Sequence, residues 1–250
     1  MTPVHLTLFA CAVAAAVLVV RYDLYEREPW FMLVVAAAAG GALMWVIGHV
    51  EDFSLARMGG SDSGPLVLAA IAASHEELAR VLVVAAIAIV LPSQLNDPID
   101  GLIYGSIVGL GMAVEESRAL LVLIGADGWA IPATEPVRLL GHLVLGGIGG
   151  FAVGMARMGM RGWPLMIAAG LAASTGIHFL WDWIAFVAAE RRIMTSSQTA
   201  SAIALMLAGM ATYGSMVVVG SRWSRRVFAP GSRHSLWGWP FGSEPGSTRQ

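Results

Sequence analysis

The stretch PLVLAAIAASHEELARVLVVAAIAIVL, residues 65–91, decides how this chain is read. Both flanks are Ala, Val, Leu and Ile, yet Glu76, Glu77 and Arg80 stand in the middle. A helix crosses the ~30 Å hydrocarbon core with about 20 apolar residues. At 1.5 Å per residue, Glu76 lies roughly 16 Å into such a helix, near the midplane. An ionisable group there costs on the order of 2.5–3.5 kcal/mol even on the lenient insertion scale. A helix that keeps three of them in lipid must turn them toward other helices.

Six further stretches of the same kind surround this one. The predicted spans are Leu6–Val20, Trp30–Val50, Pro65–Leu91, Ile99–Ile124, Val137–Arg157, Trp163–Ala189 and Ala200–Gly220. Turn sequences separate them: Arg27-Glu28-Pro29, Gly59 to Pro65, Asn96-Asp97-Pro98 and Arg161-Gly162-Trp163-Pro164. In lipid the backbone must satisfy its own hydrogen bonds, so these runs are helices. The whole chain is 57% hydrophobic and 13% charged, against roughly 25% charged in a globular protein. The fold class is therefore all-α: a polytopic membrane bundle of about seven transmembrane helices. Residues 1–228 form one membrane domain, with the polar core helices at 65–189. Residues 229–250, rich in Pro, Gly, Ser and Trp, read as a disordered tail.

The composition removes several function classes. A net charge of −2, with no basic cluster before the tail, argues against nucleic acid as a partner. The single cysteine, Cys11, rules out a disulfide framework and a Cys-based metal site. All fifteen basic residues are Arg, which removes lysine Schiff-base chemistry and the P-loop. Met1–Leu8 lacks a positive n-region, so the first run reads as a retained helix. Orientation follows from arginine in the connections. With the N-terminus outside, Arg21, Arg27, Arg157, Arg161, Arg222, Arg225, Arg226, Arg233 and Arg249 lie inside, against Arg57, Arg138, Arg191 and Arg192 outside. Nine against four sets the N-terminus outside and the C-terminus in the cytoplasm.

Spans three to six hold nearly all the intramembrane polar groups: His75, Glu76, Glu77, Arg80, Glu115, Glu116, Arg118, His142, His178 and Asp182. Helical spacing predicts that they share one cavity. Gly170, Ser174, His178 and Asp182 recur every four residues on one face, as do Gly105, Gly109 and, a turn further on, Met112 and Glu116. Ala69, Ala73, Glu76 and Arg80 form a third stripe, in which Glu76 can reach Arg80. His142 heads Gly146, Gly150 and Gly154, a doubled GxxxG that admits a close neighbour. Glu115, turned about 100° from Glu116, is expected to pair with Arg118 or to lie exposed instead. Glu51 and Asp52 read as loop residues.

Carboxylates and imidazoles in one cavity can bind a divalent ion, or can activate a water directly. His75-Glu76-Glu77-Leu78-Ala79 begins like HExxH, but Ala79 stands where the second histidine should be. No Ser or Cys accompanies a His and an acid in a recognisable arrangement, which favours an activated water over an acyl-enzyme. Two other classes use the same groups. A proton- or ion-coupled transporter uses buried carboxylates and histidines as relays, although paired inverted halves are missing here. A non-catalytic membrane scaffold would keep the shell alone.

Four motifs in register carry a family resemblance. Glu76-Glu77-Leu78-Ala79-Arg80 resembles the EExxK motif of the PrsW family of intramembrane proteases, within the CAAX-processing (Abi) superfamily. The block from Asp97 through Gly111 to Met112-Ala113-Val114-Glu115-Glu116 resembles its FxxxE block, and His178-Phe179-Leu180-Trp181-Asp182 its HxxxD. His142 matches an additional histidine, and Tyr25-Glu26-Arg27-Glu28-Pro29 an acidic first loop. The departures are Arg80 for Lys, Met112 for Phe, and Ser117 where Asn is usual. The resemblance implies an intramembrane endopeptidase of a bacterial cell membrane. Its partners would be the bilayer and a membrane-anchored protein substrate such as an anti-sigma factor. It further implies Glu76, Glu77, Glu116, His142 and His178 as catalytic residues, with Arg80 and Asp182 in support. If the chemistry uses a divalent metal such as zinc, its ligands would come from Glu76, Glu116, His142 and His178.

Overall fold

The computed structural model describes residues 2–21, 23, 27–58 and 63–228. Tyr25, Glu26 and the tail 229–250 lie outside the described residues. Among the described residues, seven long helices and one 3₁₀ turn account for the architecture: α1 (Pro3–Val20), α2 (Trp30–Met58), α3 (Pro65–Val90), the 3₁₀ turn Pro92–Gln94, α4 (Pro98–Leu123), α5 (Thr134–Arg157), α6 (Trp163–Arg191) and α7 (Ser196–Phe228). Five of them, α1, α2, α5, α6 and α7, are long and apolar enough to cross a membrane. The other two, α3 and α4, are the helices that carry Glu76, Glu77 and Arg80, and Glu115 and Glu116.

Proline opens α3, α4 and α6 at their first turns, where a missing N–H costs nothing. Asp97 caps α4: its carboxylate accepts from the backbone of Ile99 and Asp100, while Asp100 accepts from the Asp97 N–H at 2.8 Å. The same Asp97 carboxylate accepts from Ser224 of α7, and Tyr104 donates to Glu28 ahead of α2. This polar knot ties one end of the bundle together.

The centre of the bundle is α4 against α5. Every residue from Pro98 to Ala113 and from His142 to Met155 is buried. Two glycine rows make that possible. A Cβ on Gly101, Gly105 or Gly109 would sit 2.3, 2.1 and 2.1 Å from the carbonyl oxygens of Gly150, Gly146 and His142. Cβ atoms on Gly146 and Gly150 would meet Gly105 and Gly101 as closely, at 2.2 and 2.1 Å. The doubled GxxxG of α5 thus meets a matching row on α4. On the opposite flank of α4, Gly111 packs on Ala37, and Gly40 of α2 packs on Val108. By contrast, α6 buries only Gly170, Ser174 and His178, the stripe expected from its spacing, and gives the rest of its circumference to neighbours and lipid. Trp163 and Trp183 are exposed on the bundle surface, while Trp181 is half-buried.

Replacing Gly105 or Gly146 by Ala must push two backbones apart. A loss of about 1–3 kcal/mol is expected, as for other overpacked cores. Gly214→Ala, where the new methyl meets nothing, serves as the control. Thermal unfolding of detergent-solubilised protein, read by retained monodisperse fraction, checks the contrast.

Candidate active site

The site is assembled from the middle of α3 outward. The stripe Ala69, Ala73, Glu76 and Arg80 is buried, together with Glu77. Arg80 is 1% exposed and its guanidinium cannot shed its charge, so it must be surrounded by acceptors. One fork nitrogen, Nη1, pairs with Glu77 Oε1. The other, Nη2, lies 3.7 Å from Glu76 Oε2 and donates to Nδ1 of His142 at 3.0 Å. The expected Glu76–Arg80 pair exists, but the tighter partner is Glu77, one turn earlier on the helix.

Because a guanidinium has donors only, the hydrogen bond to His142 fixes the imidazole tautomer: Nδ1 accepts and Nε2 carries the proton. That Nε2 faces Glu116 Oε2 at 3.1 Å. On the other side, Glu77 Oε1 accepts from Nδ1 of His178 at 2.9 Å, and His178 Nε2 faces Asp182 Oδ2 at 3.3 Å. The two imidazoles meet edge to face with centroids 5.6 Å apart. Glu76, Glu77, Arg80, Glu116, His142, His178 and Asp182, drawn from four helices, therefore form one contiguous network. Glu115 is paired with Arg118 at 2.5 Å, as its position around the helix implied.

The network leaves acceptors unused. Glu76 Oε2 and Glu77 Oε2 are buried with no hydrogen-bond partner, which is costly unless something else fills the role. Glu76, His142 and His178 offer ligand atoms that all lie within 4.8 Å of one another, so this buried trio could hold a metal ion. The donor set suits a borderline divalent cation. Glu116, a candidate ligand by sequence, is not in the trio; it reaches the site through the far nitrogen of His142.

Two residues join the site that the sequence reading placed elsewhere. Arg138, inside the predicted span Val137–Arg157 but counted with the outer connections for orientation, lies in the first turns of α5; its Nε is 3.3 Å from Glu116 Oε1 and its Nη1 3.1 Å from the fully buried Glu135. The signal was its spacing, four residues before His142 on the same face. Glu51 is not a loop residue: α2 runs on to Met58 and carries it into the fold. Glu51 Oε1 is buried without a partner, and Glu51 interacts electrostatically with Glu116, His178 and Asp182. It lines a cavity of about 290 Å³ between α2 and α4, together with Asp52, Glu115, Glu116 and Arg118. The helices touch at Gly40 and Gly111 and part beyond, so Gly48 faces open space. Glu116 is the wall shared by this cavity and the network.

The chain matches the profile described as PrsW family intramembrane metalloprotease over residues 28–213, from the start of α2 into α7. That is well over half of its length, and the chain belongs to this family of membrane-embedded proteases. No curated protein and no solved structure matches it.

Arg138→Gln leaves Glu135 charged and enclosed and lets Glu116 swing. Breaking a buried pair in this way is expected to cost about 3 kcal/mol. The double variant Arg138→Gln/Glu135→Gln should recover most of that stability, which thermal unfolding in detergent would read.

Proposed function

We propose that the protein is an intramembrane endopeptidase that hydrolyses a peptide bond in a membrane-anchored protein, using a water activated by Glu76. The observation that carries this reading is the convergence of two carboxylates and one guanidinium from α3 with two imidazoles from α5 and α6 in one buried cluster with orphaned acceptor atoms. A structural ion pair would need one carboxylate for Arg80, and this site supplies two.

The roles divide by what each group already holds. Glu77 is committed to Arg80 and His178, so it fixes charge and orients the imidazole. Glu76 keeps an unpartnered oxygen and is the general base. Glu76 takes a proton from water as the water oxygen bonds to the peptide carbonyl carbon, and the carbonyl electron pair moves to oxygen. His178, kept oriented by Glu77, donates toward that oxyanion once its Nε2 turns from Asp182; Glu76 then returns its proton to the amide nitrogen as the C–N bond breaks. His142, held by Arg80 and Glu116, forms the other wall. Enclosure from bulk water strengthens each of these interactions. A divalent ion held by Glu76, His142 and His178 would supply Lewis-acid activation of the same water and carbonyl.

The arginine distribution along the connections supports an orientation with this half of the bundle toward the outer face of the membrane. The substrate's scissile segment would reach the site unwound, since a helical amide is shielded by its own hydrogen bonds.

Single-span reporter proteins co-reconstituted in liposomes test the reading. Glu76→Gln and His178→Ala should each lose at least about 100-fold in cleavage rate, the scale of a lost general base or acid. Glu115→Gln, which only frees Arg118, should cleave within about threefold of wild type. Equal rates for Glu76→Gln and wild type would overturn the proposal, as would solute uptake by vesicles without any cleavage.

A further inference from the structure

The trio that could hold an ion is not vacant ground: the guanidinium of Arg80 is wedged into it. Nη2 lies 3.0 Å from His142 Nδ1 and 3.7 Å from Glu76 Oε2, two atoms that are themselves 3.9 Å apart. A guanidinium only donates, so it uses the one imidazole lone pair that points toward Glu76, the pair that an ion bridging those residues needs. We propose that Arg80 and a divalent ion are mutually exclusive occupants of the pocket, so that ion capture requires Arg80 to release His142.

Three observations support the exclusion. First, the fork has a seat built for it. Gly146 lacks the Cβ that would lie 3.1 Å from Arg80 Cδ, so the stem passes against bare backbone toward His142. Second, Arg80 has somewhere to stay when it lets go. Nη1 keeps its pair with Glu77, while Nε has no hydrogen-bond partner, so the fork can pivot without leaving a second bond behind. Third, charge forbids sharing. With Arg80 1% exposed, a divalent ion taken up while Nη2 still sits on His142 would meet repulsion that water cannot screen. A lysine at this position would concentrate its charge at one atom and could not span Glu77 and His142 as a planar fork does.

The inference rests on the metal-assisted form of the function proposed above. Ion binding is measured apart from cleavage, so failure of one is distinguishable from failure of the other. The test uses the full chain in lipid nanodiscs, stripped with chelator and titrated with Zn²⁺ by calorimetry, with Co²⁺ absorption spectra as a second readout. Arg80→Gln is expected to tighten Zn²⁺ binding by about tenfold or more over wild type, the scale on which groups around a metal's ligands act. Arg80→Lys should fall between the two, and the gain should vanish in Arg80→Gln/His142→Ala. If Arg80→Gln does not fold, tighter binding by Arg80→Lys supports the proposal and unchanged binding overturns it. It is also overturned if Arg80→Gln binds no more tightly than wild type, if the gain survives loss of His142, or if stripped wild type already takes up one Zn²⁺ as tightly as the variants.

Discussion

A guanidinium buried in the middle of a membrane bundle sets the terms for everything around it. Arg80 cannot lose its proton and cannot reach water, so the fold must bring acceptors to it. Glu77 answers from the same helix, and His142 answers from α5. Each of those partners recruits one more helix: Glu77 draws in His178 on α6, and His142 draws in Glu116 on α4. The relative rotation of four helices is thereby fixed by one residue's hydrogen-bonding needs. Specificity of this kind is what a buried polar network can supply where lipid removes the hydrophobic contribution to helix association.

The network forms only because α4 and α5 can come close enough. Their glycine rows place backbone against backbone, and Gly109 seats directly on the carbonyl of His142. Gly146 serves twice, against Gly105 of α4 and beneath the stem of Arg80. Small residues therefore act at the site as well as in the scaffold. Shifting either helix outward by one methyl would move His142 away from Glu116 and Arg80 together.

Much of this was legible before any coordinates. The apolar runs gave seven helices, the GxxxG row of α5 announced a close neighbour, and the four-residue spacing of Gly170, Ser174 and His178 named the one buried face of α6, with Asp182 half-buried at its end. What sequence did not carry were contacts between helices that depend on rotation about their axes. Glu76 and Glu77 are adjacent, and only the packing decides that Glu77 takes the tighter hold on Arg80 while Glu76 keeps a free oxygen. Glu51 was misplaced because hydropathy ends a helix where charge begins, whereas α2 continues for two more turns and folds that charge against the site. Arg138 fell inside the predicted fifth span, and what the reading missed was that its side chain turns inward to Glu116 and Glu135. Helix ends are where hydropathy and hydrogen bonding disagree, and here both ends carry groups that face the network.

The family assignment and the geometry support the same chemistry from different directions. The matched region covers the helices that hold every member of the network, and the network holds the groups that amide hydrolysis by water requires. Both depend on those groups meeting in one small volume. Nitrogen–nitrogen recoupling by solid-state NMR, on protein labelled with ¹⁵N in arginine and histidine and embedded in lipid, measures that meeting directly. The account expects a contact of 3.0 Å between an Arg80 fork nitrogen and a His142 Nδ1 that bears no proton. A protonated Nδ1 with no recoupling to Arg80 would contradict it.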